Sequence, residues 1–277
     1  DQSIAGAHHS ALAHAEITRA LRAVRPEIRS GITLNMTNYR VDDPANAELQ
    51  KLAAYQDSHL NRWWLDAQVH GKYPENLVEF YGDKLQKHIQ PGDMEKLKID
   101  SEFLGINYYS DSFIGTPTAE QVKENKGTFL FPINSDGTPP APYTDMGWPI
   151  TPSGLEDLLV RIHQDWPSIP DIAITENGAA YDDAPDENGQ VNDERRVDYL
   201  VSHLDAVSRA IDNGVPVKAY YYWSLLDNFE WAEGYVKRFG IVYVNFETLQ
   251  RIPKLSASVY SKVIKTNGLV LEEVRKN

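Results

Sequence analysis

Short apolar runs alternate with helical patterns along the whole chain, and this alternation constrains the fold more than any other feature. The runs are Gly31-Ile-Thr-Leu-Asn-Met36, Phe103-Leu-Gly-Ile-Asn-Tyr-Tyr109, Ile172-Ala-Ile-Thr175 and Val217-Lys-Ala-Tyr-Tyr-Tyr-Trp223. Helical patterns cover residues 3–25, rich in Ala and His, and 46–70, ending at Gly71. A shorter one follows Pro74, and the last lies near 254–266. Ser153 and Glu156 read as a capping box, after which Leu155, Leu158, Leu159 and Ile162 share one helical face. Over 193–213, Val197, Leu200, Val201, Leu204 and Ile211 fall on one side, and Gly214 ends the helix. Strands separated by helices predict a parallel sheet and an α/β fold. A closed barrel of this type needs eight strands in roughly 250 residues. Here long loops consume the length, above all the Pro-, Gly- and Thr-rich stretch 115–150, and a hairpin-like segment surrounds Gly240–Asn245. Four parallel strands alone would leave two open edges, so the pattern points to half a barrel, a single partial domain over residues 1–277.

Composition narrows the function classes. The net charge of −13 argues against nucleic acid and against anionic membrane surfaces as partners. The chain has no cysteine, which excludes disulfides, thiolate chemistry and zinc–thiolate sites and is compatible with the cytoplasm. No apolar run reaches the roughly 18–20 residues of a membrane span, and no signal peptide is visible. The start at Asp1, without Met and at once helical, reads as a cut end.

The chemistry gathers at strand ends. In parallel α/β barrels the C-terminal strand ends converge on the face where reactions occur. The second run ends at Asn107, Tyr108 and Tyr109, the third leads into Glu176-Asn-Gly178, and the fourth ends at Trp223 before Ser224-Leu-Leu-Asp-Asn-Phe-Glu-Trp231. Glu176 suits a nucleophile toward an anomeric carbon, with the Tyr109 hydroxyl to hold it. From the tripeptide alone, a solvated carboxylate at a strand-ending turn is the better reading. Glu230 can accept from two sugar hydroxyls, and Trp223 and Trp231 offer indole faces to a pyranose. Seen alone, that segment reads as a helix start with a half-buried ring. Trp148 either flanks a leaving group or staples its loop, and Asp227 caps a turn. His8, His9 and His14 are spaced unlike helical metal pairs, which prefer four apart, and read as structural.

Together the segments resemble glycoside hydrolase family 1, the retaining β-glucosidases. The resemblance rests on His8-His9 with His14, Gly105-Ile-Asn-Tyr-Tyr109, Ile174-Thr-Glu-Asn-Gly178, Tyr222-Trp-Ser-Leu-Leu-Asp-Asn-Phe-Glu-Trp231, Arg238-Phe-Gly240 and Arg251-Ile-Pro-Lys254. It covers essentially the whole chain in the family's order. It implies an eight-stranded β/α barrel and no metal or organic cofactor. It also implies Glu176 as nucleophile, Tyr109 as its hydrogen-bond partner, and Asn107 beside the reacting sugar. Trp223, Glu230, Trp231 and Phe239 would shape the glycone subsite, with Trp148 on the aglycone side. The substrate it implies is a β-glucoside or cello-oligosaccharide.

One departure dominates. The family's acid/base Glu belongs to an Asn-Glu-Pro motif at the end of the fourth barrel strand, and no Asn-Glu-Pro occurs in this sequence. The resemblance therefore places the chain in the C-terminal half of the barrel, strands five to eight, with Asp1 just beyond the missing motif. It implies an isolated chain that is inactive as a β-glucosidase, and a partner chain carrying the N-terminal half-barrel. A degenerate sugar-binding protein and an inactive structural fragment are the competing readings. Family members acting on 6-phosphorylated sugars lack a carboxylate at the position of Glu230, so the resemblance implies an unphosphorylated glycone, glucose first.

Overall fold

Asn46 starts a helix because its side chain can take the place of a missing turn. Its Oδ1 accepts from the backbone N–H groups of Glu48 at 3.1 Å and Leu49 at 3.3 Å. The helix it caps is one of many in a computed structural model that describes residues 2–115 and 142–268. In chain order the described elements open with α1 (Gln2–Val24), β1 (Gly31–Asn35), β2 (Tyr39–Val41), α2 (Ala47–Asp57), α3 (Trp63–His70) and α4 (Glu75–Tyr81). They continue with α5 (Asp83–Gln86), α6 (Asp93–Leu97), β3 (Phe103–Asn107), β4 (Ser112–Ile114), α7 (Pro152–Asp165) and β5 (Ile172–Asn177). The last are α8 (Glu194–Asp212), β6 (Val217–Tyr222), β7 (Val242–Val244), β8 (Arg251–Pro253) and α9 (Leu255–Thr266). Most of the long loop read over 115–150, at 116–141, lies outside the described residues.

The four apolar runs are the strands of one sheet, in the order β1-β3-β5-β6. Leu104 N–H donates to Asp171 O and Tyr108 N–H to Glu176 O, both at 2.9 Å. These partners advance together along both strands, so β3 and β5 run parallel. The architecture is α/β, as the alternation predicts. Two small sheets escape the sequence pattern, a parallel pair of β2 with β4 and an antiparallel pair of β7 with β8. The second contains the hairpin-like segment. Among the described residues no helix is long and apolar enough to cross a membrane.

Two compact units are distinguished. The described residues of the first are 2–106, 112–115 and 161–173. Its largest cluster joins Ile4 and Ala11 of α1 to Trp63, Ala67, Tyr73, Leu77, Leu85 and Leu97. His8 is fully buried, with its ring nitrogens 2.8 Å from the Tyr73 hydroxyl and 3.2 Å from the Asp93 carboxylate, a structural placement. The helix expected over 46–70 is interrupted by a π-turn at Ser58–Arg62. One inserted residue rotates the later turns of the helix about its axis. It lets Asn61 donate to Thr37 O at 2.8 Å and Arg62 to Asp57 at 3.2 Å, contacts an unbroken helix would not direct.

The second unit comprises the described residues 107–111, 142–160 and 174–268. Val197, Leu200 and Val201 of α8 pack with Val259 of α9, joined by Leu204, Tyr220, Tyr222 and Tyr260. Two expectations are corrected in these helices. α7 begins at Pro152, so Ser153 lies inside its first turn and forms no capping box with Glu156. Proline is pre-set for the first helical position, and Glu156 instead receives Arg209 at 2.7 Å. Ile211 is 48% exposed, while Ala210 beside it in the last turn of α8 is fully buried, so the buried face there lies to one side of Ile211. The buried stripe also includes polar Arg196 and His203. Leu200→Ala should cost about 2–5 kcal/mol, and Ile211→Ala should stay within about 0.5 kcal/mol of the parent. Chemical denaturation reads both, and equal losses at the two positions would contradict this packing.

Candidate active site

Neighbouring residues on a strand face opposite ways, and the end of β5 uses this to separate two polar side chains. Asn177 turns inward and is fully buried. Glu176 turns the other way and is half-buried. The same parity separates the two tyrosines after β3. Tyr108, which the sequence offers in a row with Asn107 and Tyr109, is fully buried. Its hydroxyl lies 2.9 Å from Asp111 Oδ1 and from Thr151, away from Glu176. Tyr109 faces Glu176 and donates to its Oε2 at 2.5 Å. Gly178 is required next to them, because a Cβ there would sit 1.9 Å from the Trp223 carbonyl.

Tyr109 is wrapped by rings. The Trp148 indole lies 5.3 Å and the Phe239 ring 6.1 Å from it, centroid to centroid, and Trp148 and Phe239 are 6.1 Å apart. Trp148 is half-buried. Its loop closes on itself through Thr144 N–H to Trp148 O at 3.0 Å and a bridge between Tyr143 and Pro149. The loop is closed by the Trp148 backbone, while its indole packs against Tyr109 and Phe239. Burial first, and then the bond to the Glu176 carboxylate, hold the Tyr109 phenol well above its ordinary range. It therefore stays protonated and donating at neutral pH.

The second carboxylate arrives from the segment after β6. Trp223 hydrogen-bonds the Glu230 side chain, and the charge of Glu176 is near enough to act on it. Burial is the main cause that raises the Glu230 carboxyl above the usual range. The Trp223 bond opposes that shift and Glu176 adds to it. Asp227 anchors this segment and does more than cap a turn. Its carboxylate accepts from Gly240 N–H at 3.0 Å, Val244 N–H at 3.2 Å, Arg238 at 2.7 Å and Lys254 Nζ at 3.2 Å. Gly240 allows this approach, since a Cβ there would lie 2.2 Å from the Asp227 nitrogen. The next residue along from Phe239 is thereby pinned.

Glu176, Tyr109, Glu230, Trp223, Trp148 and Phe239 are thus linked by hydrogen bonds, charge or ring contact. The other two candidates make contacts of their own. Asn107 receives the Thr175 hydroxyl at 2.6 Å. Trp231 opens a short 3-10 turn, Trp231–Glu233, with positive φ, and is 83% exposed, so it is not the half-buried ring of a helix start. Sequence reasoning missed a buried ionic cluster, in which Arg196 reaches Asp193 at 2.8 Å and pairs with Asp183, while Lys254 meets Asp183 at 2.8 Å. Its signal was Arg196 falling on the apolar stripe of α8.

A sequence model of Glycosyl hydrolase family 1 matches residues 1–269. The chain is 39% identical to "Beta-glucosidase A" of Acetivibrio thermocellus over 268 residues, which are 96% of this chain and 58% of the relative. It is 36% identical to "6-phospho-beta-galactosidase" of Clostridium acetobutylicum over 95% of this chain and 59% of that protein. A psychrophilic beta-glucosidase from Micrococcus antarcticus, solved by crystallography, superimposes with a TM-score of 0.85 at 40% identity, over 95% of this chain and 58% of the other. The chain thus spans less than two thirds of the length of these relatives. The family match runs through Glu176, Tyr109 and Glu230 alike, and by it this chain belongs to glycosyl hydrolase family 1.

Proposed function

We propose that this chain is the C-terminal half of the (β/α)8 barrel of a retaining β-glucosidase, one partial domain carrying strands five to eight. Its reaction is hydrolysis of terminal non-reducing β-D-glucosyl residues. The observation that carries the reading is Glu176 at a strand end with the Tyr109 phenol on its Oε2 at 2.5 Å. Such a donor orients a carboxylate and spreads its charge while leaving Oε1 to attack. The identity to two relatives named beta-glucosidase supports the substrate class.

The reaction is a double displacement. Glu176 forms a bond to the anomeric carbon as the glycosidic C–O bond breaks, and a carboxylic acid protonates the departing oxygen. Water, deprotonated by the same group, then displaces Glu176 with net retention. The two carboxyl groups of such a pair stand about 5–5.5 Å apart. The acid/base group is supplied by residues outside this sequence, whose lack of an Asn-Glu-Pro motif supports that assignment. Glu230 serves the sugar instead, accepting hydroxyls beside Trp223, with Trp231, Phe239 and Asn107 completing the glycone subsite and Trp148 bordering the aglycone. A phosphate beside Glu230 would meet like charge in a desolvated pocket, which favours an unphosphorylated glycone over that of the 6-phospho relative.

Alone, the chain should not turn over aryl β-glucosides, since losing an acid/base group costs on the order of 10²–10⁴ in rate and half the sugar contacts go with it. Mixed with a chain carrying the first four barrel strands of a relative, it should hydrolyse aryl β-glucosides and not their 6-phosphates. Glu176→Ala should abolish that turnover. Robust turnover by the isolated chain that Glu176→Ala removes would contradict the half-barrel reading, and sugar binding without turnover in the mixture would indicate a non-catalytic protein.

Glu230 adds a pH dependence. It accepts hydroxyls fully only when ionised, and its raised pKa means that it protonates at a higher pH than an exposed glutamate. In the same mixture, affinity for an unreactive aryl thio-β-glucoside should therefore fall on acidification through that raised value, and Glu230→Gln should flatten the step. Fluorescence titration between about pH 4 and pH 8 measures it, and an unchanged step in Glu230→Gln would contradict the role.

A further inference from the structure

Asn177 and Tyr199 take no part in the chemistry above, yet the backbone on both sides of Tyr109 is held by them. Asn177 spends both amide N–H groups, one on Tyr108 O at 2.8 Å and one on the Tyr199 hydroxyl at 3.0 Å. Its Oδ1 accepts from the Tyr220 hydroxyl at 2.7 Å. The Tyr199 hydroxyl, accepting from Asn177, donates to Tyr109 O at 3.0 Å. The carbonyls before and after the Tyr109 α-carbon are thus both fixed, and with them its two backbone torsions. On the other side, Tyr108 N–H donates to Glu176 O at 2.9 Å and Trp223 N–H to Asn177 O at 3.0 Å. One fully buried side chain registers the ends of β3, β5 and β6 against α8.

The chemistry of the hub is specific. Asparagine supplies two donors and an acceptor at one point, and aspartate would set oxygens against a carbonyl and a phenol. Tyr199 stacks on His203 at 3.9 Å, and the His203 Nδ1–H donates to Tyr199 O at 2.7 Å. Burial pushes His203 down to about 4, so it stays neutral beside the hub at working pH.

We propose that Asn177 and Tyr199 are positioning residues that keep the Tyr109 hydroxyl on Glu176 Oε2. The geometric claim stands on the contacts alone, and its catalytic consequence rests on the reading of Glu176 as nucleophile.

The test reads the Tyr109–Glu176 bond without catalysis. In the whole chain labelled with 13C at tyrosine Cζ, the Tyr109 signal is assigned by its loss in Tyr109→Phe. In the parent it should stay flat up to about pH 11, because burial and Glu176 hold the phenol protonated. Tyr199→Phe removes one oxygen and keeps the ring on His203, and Asn177→Asp removes both donors. In both variants the Tyr109 signal should begin to titrate at a lower pH than in the parent, and in the reconstituted mixture kcat should fall by about 10²-fold with KM changed far less. A Tyr109 signal that stays flat in both variants, with thermal midpoints merely lowered, would overturn the proposal and reduce the hub to core packing. If the signal moves as expected but the parent mixture shows no turnover, the glucosidase reading fails and the positioning stands. If the parent turns over and the signal stays flat, the reverse holds.

Discussion

Everything proposed for this chain depends on the parity of two adjacent residues at the end of β5. A strand cannot send neighbours the same way. Glu176 therefore faces Tyr109 while Asn177 enters the interior. A one-residue slip would exchange them. It would bury a carboxylate among tyrosines and leave an amide at the site, a large penalty because an unpaired buried charge is far costlier than a paired one. Register is thus held by the buried partners of Asn177, next in the chain to the site carboxylate.

Around this pair the second unit supplies support of a different kind. Asp227, Lys254, Arg238, Asp183, Arg196 and Asp193 form a buried ionic cluster behind the segment that carries Glu230 and Phe239. Such clusters give little net stability over apolar packing, because desolvation offsets the attraction. They are directional, however. Asp227 uses both carboxylate oxygens on backbone N–H groups and cations, which sets where residues 238–244 lie. These bonds add direction to the apolar burial of Phe239, Ile241 and Val244, while Trp231 remains 83% exposed.

Much of this was legible in the sequence, and the exceptions have physical reasons. Apolar runs mark β1, β3, β5 and β6, and Leu155, Leu158, Leu159 and Ile162 are all fully buried as their spacing predicts. The start of α7 was misplaced because Ser153 and Glu156 fit a capping pattern that Pro152 pre-empts one position earlier. The π-turn at Ser58–Arg62 shows in a hydrophobic pattern only as a phase shift of the stripe, which the short helices on either side do not resolve. Tyr108 and Tyr109 are identical in type, so only register tells the core ring from the site ring. Asp227 looked like a turn residue because its four partners are distant in sequence. Asn107, Tyr109, Glu176 and Trp223 could be proposed from sequence because they stand at or just past strand ends, whereas Trp148, Glu230, Trp231 and Phe239 lie in loops and turns, where only the resemblance singles them out.

The central claim is that Glu176 is the attacking carboxylate. A 2-deoxy-2-fluoro-β-glucoside with a dinitrophenolate leaving group departs without acid assistance and slows breakdown of the glycosyl-enzyme, so it traps a covalent intermediate of a retaining enzyme. Incubated with the reconstituted protein and followed by peptide mass mapping, it should place one 2-fluoroglucosyl group on the peptide containing Glu176, with Glu176→Gln unlabelled. A label on Glu230 or any other carboxylate, or continued turnover with no label, would contradict the account.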